Sequence, residues 1–246
     1  YDTVDLHIYE TRQEMGADAA KDVAVCIRKL LSEKDEINCI FAAAPSQNEF
    51  LAALAADSSI EWERVNAYHM DDYVGFALGD PRSFNGFLAN AIFSKVPFKS
   101  INLLNGENTP DAECKRYEAL LQQNPTDIVL MGIGENGHIA FNDPAVADFE
   151  DEHLVKLVEL DGTCRQQQVN DGCFPTLFDV PKRAFTVTIP GLMRAEHVFC
   201  IVPGAQKAAA TAHALTGPIN ESCPASILRR HNNVQMYIDR ACASQL

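Results

Sequence analysis

Asp127-Ile128-Val129-Leu130-Met131-Gly132-Ile133-Gly134-Glu135-Asn136-Gly137-His138-Ile139-Ala140-Phe141-Asn142-Asp143-Pro144 joins an apolar run to a glycine-rich break carrying a histidine and an acid. Ile128 to Met131 has the length and composition of a buried parallel strand. The run then breaks into three glycines within six residues, Gly132, Gly134 and Gly137. Glycine lets the backbone turn sharply or approach a ligand closely. His138 and Asp143 follow, five positions apart. In open α/β sheets, ligands bind in the crevice beyond the carboxyl ends of the strands, so this histidine and acid stand where chemistry is done. Gly-rich turns after strands are common and mostly just turn, so the rest of the chain carries the weight of the argument.

The 246 residues fit one large α/β domain or two small ones, and 47% apolar content suffices for a full core. A formal net charge of −14 argues against a nucleic-acid or anionic-membrane partner, because phosphates would be repelled. It leaves room for a local basic pocket. No apolar run approaches membrane-spanning length and no secretory segment is seen, so a cytoplasmic location is expected. The eight cysteines form no Cys-x-x-Cys pair, and Cys26, Cys39 and Cys200 lie in apolar patterns. Buried reduced thiols are expected. The seven histidines show no zinc-type spacing, so no metal is expected.

Helical spacing recurs over residues 16–33, 83–96, 111–123 and 205–215, with a short helix over 224–230. Strands are expected at 37–44 running into a loop, 65–70, 101–105, 154–160, 184–189, 198–202 and 234–238. Residues 163–172 are polar and take no assignment, and 190–193 read as a turn or one helical turn. The alternation, with no linker or repeat, predicts one α/β domain over 1–246, an open, largely parallel, Rossmann-like sheet flanked by helices. Ala43-Ala44-Pro45-Ser46-Gln47-Asn48 joins a strand to a helix, an arrangement that suits an anion, although Ser46 or Asn48 as a plain helix cap is the simpler reading. Asp71 and Asp72 follow a strand; in extended backbone they point opposite ways, so one of them is expected to face the crevice. Lys207 near a helix N-terminus opposes the dipole, a costly placement unless it serves an anion or simply sits in solvent.

These segments together resemble the glucosamine-6-phosphate deaminase family, within the wider group that includes the 6-phosphogluconolactonases. Met70-Asp71-Asp72-Tyr73-Val74-Gly75 is similar to the family's Met-Asp-Glu-Tyr-Val-Gly. Ile101-Asn102-Leu103-Leu104-Asn105-Gly106 is a second anchor. Gly134 to Pro144 resembles Gly-x-Asp-Gly-His-Ile-Ala-Phe-Asn-Glu-Pro, and Gly204 to Ala208 resembles Gly-Ser-Gln-Lys-Ala. Lactonases are a more distant match, usually carrying Asp-Glu-Arg in place of Asp71-Asp72-Tyr73. The resemblance implies conversion of a 2-amino-2-deoxyhexose 6-phosphate and water to a ketohexose 6-phosphate and ammonia, without cofactor or metal. It implies His138 with Asp143 for ring opening, Asp71 for moving the proton between C2 and C1, and Asn136 in the catalytic relay. For the substrate and its phosphate it implies Ala44, Ser46, Gly137 and Lys207. Relatives are often oligomers, which makes a homo-oligomer compatible with the resemblance.

Four departures bear on the substrate. Asn136 stands where the family form has aspartate, and Asp143 is one methylene shorter than the family's glutamate. The phosphate loop, usually Thr-Gly-Gly-Thr-Pro, is Ala43-Ala44-Pro45-Ser46-Gln47, and Pro45 has no N–H to donate. The family's phosphate-binding arginine falls near Asp171 and Gly172, so Arg165 is taken to compensate with Gln167 or Gln168; the alternative is an ion pair with an acid such as Asp161. The Ser-x-Thr-Arg segment linked with allosteric activation is absent after Pro144, so that regulation is not expected. The expected substrate is therefore glucosamine 6-phosphate or a close relative such as galactosamine 6-phosphate. Hydrolysis of a sugar-lactone phosphate and non-catalytic sugar-phosphate binding are the alternatives.

Overall fold

The structure, a computed structural model, describes residues 2–246. The apolar run Ile128–Met131 is a strand, β6 in chain order, with all four residues buried. Its parallel neighbours are β2 (Ile37–Phe41) and β9 (His197–Val202). β2 also pairs with β3 (Val65–His69), which pairs with β5 (Ser100–Asn102). On the other side β9 pairs with β10 (Val234–Asp239), and β10 with β1 (Val4–Tyr9) at the edge. The seven-stranded sheet runs β1-β10-β9-β6-β2-β3-β5 and every pairing is parallel.

Both faces of this sheet are covered, which explains why its central strands read as continuous apolar runs. Along β6, Ile128 and Leu130 join one apolar cluster and Val129 and Met131 the other. β9 divides in the same way, Phe199 and Ile201 against Val198, Cys200 and Val202. One cluster contains Val23, Ile27 and Leu30 of α1 (Arg12–Glu33) and Phe50 and Leu54 of α2 (Asn48–Ala55). The other contains Tyr117 and Leu121 of α4 (Pro110–Gln123) and Ala210 and Ala214 of α7 (Ala208–Thr216). α1 opens on a capping box: Glu14 N–H donates to the Thr11 hydroxyl at 3.2 Å, and Thr11 N–H to the Glu14 carboxylate at 3.1 Å. The fold is therefore a single α/β domain with a mostly parallel sheet flanked by helices.

Three features differ from the sequence expectation. A second, three-stranded antiparallel sheet, β4-β8-β7, is built from β4 (Asp71–Tyr73), β7 (Val155–Glu159) and β8 (Arg183–Val187). β4 is only three residues long and one residue past β3, too short for a pattern of its own. The edge strand β1 was not expected; Ile8 is 47% exposed there, and a half-exposed edge blurs the apolar signal. The unassigned polar stretch is a helix, α5 (Gly162–Asn170), capped by Asp161, whose carboxylate accepts from Cys164 N–H at 2.6 Å. Its buried face carries Gln167 and Gln168, so apolar periodicity could not reveal it.

Two shorter elements complete the frame. Phe84–Leu88 is α3, continued as a wider π turn over Ala89–Phe93, and Ile189–Met193 is α6. All eight cysteines carry free thiols, five of them buried. Among the described residues no helix is long and apolar enough to cross a membrane.

Candidate functional site

From β2 the chain steps outward to β3 and β5, then returns to lay β6 on the other side of β2. The loops leaving β2 and β6 therefore diverge at their carboxyl ends, which is the topological switch point where open α/β sheets bind ligands. A cavity lies there. Its lining includes Ala42, Ala43, Ala44, Ser46 and Gln47 after β2, and Gly132, Ile133, Gly134, His138, Ala140 and Phe141 after β6. Met70 and Asp71 enter from the β3–β4 junction, Lys207 from the turn after β9, and Gln167 and Gln168 from α5.

Strand alternation separates the two adjacent acids. Asp71 lines the cavity. Asp72 turns away and is consumed structurally, accepting from the N–H groups of Tyr73, Phe84 and Asn85 at 2.9, 3.0 and 2.9 Å and from the Asn85 amide at 2.7 Å. Burial pushes the Asp71 carboxyl well above the ordinary range, and the Asp72 charge adds to this. A carboxyl so placed is a proton acceptor poised nearer neutrality.

His138 is held from behind by two acceptors. Its Nδ1 lies 2.8 Å from Asn136 Oδ1 and 3.1 Å from Asp143 Oδ1. The Asn136 amide is oriented by its own neighbours: its Nδ2 donates to Asp143 Oδ1 at 3.0 Å, and its Oδ1 also accepts the His138 backbone N–H at 3.0 Å. Two acceptors at Nδ1 place the imidazole proton there, leaving Nε2 as the ring's proton acceptor. Burial alone would raise the Asp143 carboxyl, but the hydrogen bond and charge of His138, with the Asn136 amide, outweigh it and hold it below the usual range. Asn136 and Asp143 do not line the cavity; they orient the histidine that does. Gly134 is what lets the ring lie flat against the loop, since a Cβ there would come within 2.1–2.3 Å of it.

Lys207, which also lines the cavity, is 3% exposed, and its Nζ has no hydrogen-bond partner among the described residues. Burial pushes its ammonium down from the ordinary lysine range, partly offset by the carboxylates of Asp171 and Glu135. The Ser46 hydroxyl accepts from Gln47 Nε2 at 3.2 Å, which leaves its own hydrogen to donate. Gln47 also donates to Ile201 O at 3.0 Å, tying the loop to β9, and Arg12 donates to Pro45 O at 3.0 Å. A buried ammonium and a hydroxyl with a free hydrogen, lining one cavity, suit an anion.

Two of the expected residues do not line the cavity. Arg165 lies outside the cavity, donating to Val180 O at 2.9 Å and Leu177 O at 2.6 Å, where it staples the loop after α5 rather than pairing with Asp161. On α5, residues two and three positions further along face the cavity instead: Gln167 and Gln168. Gly137 is also outside it; at φ +85° it makes the turn, and a Cβ there would meet Cys223 Sγ at 2.7 Å. Ala44 and Ser46 do line the cavity. Ala140, at φ +48°, is a non-glycine residue in the left-handed region just after the histidine. His138, Asp143 and Cys164 each bring one ligand-capable atom within 4.8 Å of the others, a grouping that sequence spacing did not reveal.

Comparison with known proteins bears on what this geometry serves. A family profile described as "Glucosamine-6-phosphate isomerases/6-phosphogluconolactonase" matches residues 10–237. The chain is 37% identical over 212 residues to glucosamine-6-phosphate deaminase of Listeria welshimeri, covering 86% of this chain and 88% of that one. Its fold superposes on a monomeric glucosamine-6-phosphate deaminase with a TM-score of 0.88 at 29% identity, covering 98% and 100% of the two chains. A 6-phosphogluconolactonase from Thermotoga maritima shares the fold, with a TM-score of 0.79, 17% identity and 96% and 100% coverage.

Proposed function

Because this chain belongs to the family of glucosamine-6-phosphate isomerases and 6-phosphogluconolactonases, we propose that it is an amino-sugar-phosphate deaminase, converting a 2-amino-2-deoxyhexose 6-phosphate and water to a ketohexose 6-phosphate and ammonia. One observation carries the reading: Asp71, His138 and Lys207 line a single cavity, so a carboxylate base, an imidazole and an anion-binding ammonium converge on one ligand. The curated relatives bearing the deaminase name support the same choice.

Each step has a group suited to it. In its protonated form His138 donates from Nε2 to the ring oxygen, opening the pyranose, while Asp143 and Asn136 stabilise the ring at Nδ1. Asp71 removes the proton from C2 and returns it to C1, passing through an enediol-type intermediate. Protonation at C1 leaves an iminium at C2; water adds to that carbon, and the resulting carbinolamine expels ammonia to leave the ketone. Lys207, the Ser46 hydroxyl and the backbone at Ala44 take the anionic ester.

The test is a panel of amino-sugar 6-phosphates assayed for ammonia and ketose phosphate. Stoichiometric release of both from at least one member is expected. No ammonia from any member, with hydrolysis of 6-phosphogluconolactone, would move the assignment to the lactonase side of the family. Binding without turnover would leave a sugar-phosphate-binding protein.

A further inference from the structure

We infer that the anion end of this cavity selects a singly charged ester, taking a phosphate monoester as its monoanion and accepting a sulfate ester, in preference to the phosphate dianion. The inference rests on the reading that the cavity holds a sugar carrying an anionic group at C6.

Lys207 is the one lysine or arginine among the described residues that lines the cavity. Three arginines on segments adjoining the cavity are committed elsewhere. Arg165 holds Leu177 O and Val180 O, Arg12 holds Pro45 O and the Glu49 carboxylate, and Arg82 is paired with Asp80. The groups whose charge reaches Lys207 are acids or thiols: Asp171 at the end of α5, Glu135 after β6, Cys164 on α5 and Cys242 near the carboxyl terminus. Gln167 connects with the two acids, accepting from Glu135 N–H at 2.9 Å and lying 3.4 Å from Asp171. Asp71 and His138 are the remaining titratable groups of the cavity.

The other donors are neutral. The Ser46 hydroxyl and the Gln168 amide face the cavity, and the Gln168 side chain makes no hydrogen bond to another described residue. The loop preceding α2 adds only neutral backbone at Ala44, because Pro45 carries no N–H and Gln47 N–H is turned back to Ala44 O at 2.9 Å. A monoanion meets one buried ammonium and neutral donors, and the charges balance. A dianion brings a second charge into a desolvated pocket that offers it no second cation and two nearby carboxylates. An uncompensated buried charge is strongly unfavourable.

Phosphate monoesters lose their second proton near pH ~6, whereas sulfate esters stay singly charged. The test uses 2-amino-2-deoxyhexitol 6-phosphate, its 6-sulfate and the unesterified hexitol, open-chain alcohols that cannot turn over. Calorimetry gives their Kd values from about pH 5 to about pH 8, bracketing the phosphate's second ionisation. Both esters see the same protein groups, so the ratio of phosphate to sulfate Kd cancels changes in the protein's own charge with pH. That ratio should rise up to about a hundredfold across this range, following the loss of the monoanion. A flat or falling ratio, with both esters still bound more tightly than the hexitol, overturns the charge selection and leaves the proposed function standing. Esters that bind no better than the hexitol overturn both. Gln168→Arg supplies a second cation and should flatten the ratio by tightening the phosphate at high pH. A folded variant whose ratio rises as steeply as the wild type's, despite the added cation, overturns the charge selection.

Discussion

His138 shows how closely a single residue is dictated by what lies behind it. Its ring rests against the bare Cα of Gly134, and its Nδ1 is shared by Asn136 and Asp143. Gly134→Ala should therefore displace the imidazole without disturbing the core. We expect kcat to fall about a hundredfold, since small misplacements of a reacting group have that effect, with Tm little changed. A fully active Gly134→Ala enzyme would show that ring placement is not limiting. Asp71 invites a test of pH. Its carboxyl is raised by burial and by Asp72, so its basic form is lost as pH falls through a value above the ordinary carboxylate range. The acid limb of kcat/KM should lie correspondingly high, and Asp71→Asn should abolish exchange of the C2 proton with solvent while the ligand still binds. Exchange at the wild-type rate in that variant would remove Asp71 from the chemistry. At this scale the motifs made Asp71, His138 and Asp143 legible. They did not reveal that Arg165 turns away, because the direction of a side chain on α5 depends on a helix the polar stretch 163–172 did not announce.

Elements show why α5 escaped notice and why it matters. A helix is read from sequence by its apolar stripe, and α5 buries Cys164, Gln167 and Gln168. What starts it is a cap: the Asp161 carboxylate accepts from Cys164 N–H at 2.6 Å. Asp161→Ala should destabilise the protein by about 1 kcal/mol through loss of that cap. Because the same helix delivers two amides to the cavity, KM for the phosphorylated substrate should rise more than kcat falls. An unchanged KM alongside a lowered Tm would mean that α5 does not contribute to binding. The strand β4 is a similar case. Three residues have no periodicity to read, yet pairing with β8 presents Asp71 to the cavity and Asp72 to the start of α3.

Over the whole molecule, the cavity exists because two parallel half-sheets diverge at β2 and β6. Lys207 is carried into it by the turn after β9, and the ligand-free protein bears an ammonium that is buried without a partner. Such a group favours function over stability. Lys207→Met should raise Tm by a few degrees, about 1 kcal/mol for a chain of this size, and weaken binding of phosphorylated sugars selectively. The sign follows from the depressed folded-state pKa. The burden is full at pH values below it, where the lysine is charged in both states, and eases as pH rises through it towards the unfolded value. The stabilisation should accordingly be largest near neutrality and shrink in alkali. A variant with lowered Tm, or one that binds phosphorylated and plain sugars equally weakly, would contradict this.

The sequence alone determined the parallel α/β architecture and the segments that identify the family. Both are local: buried strands are written as apolar runs, and loops that touch a ligand are written as glycines and charged residues in fixed order. Only the tertiary structure decided which residues meet. It set Asn136 behind His138, buried Lys207 and turned Arg165 away from the cavity that Gln167 and Gln168 line. These outcomes depend on pairing and packing between segments far apart in the chain, which no local pattern records. The opening stretch Asp127–Pro144 thus predicts its own strand and turn, while its chemistry is completed by β4, α5 and the turn after β9.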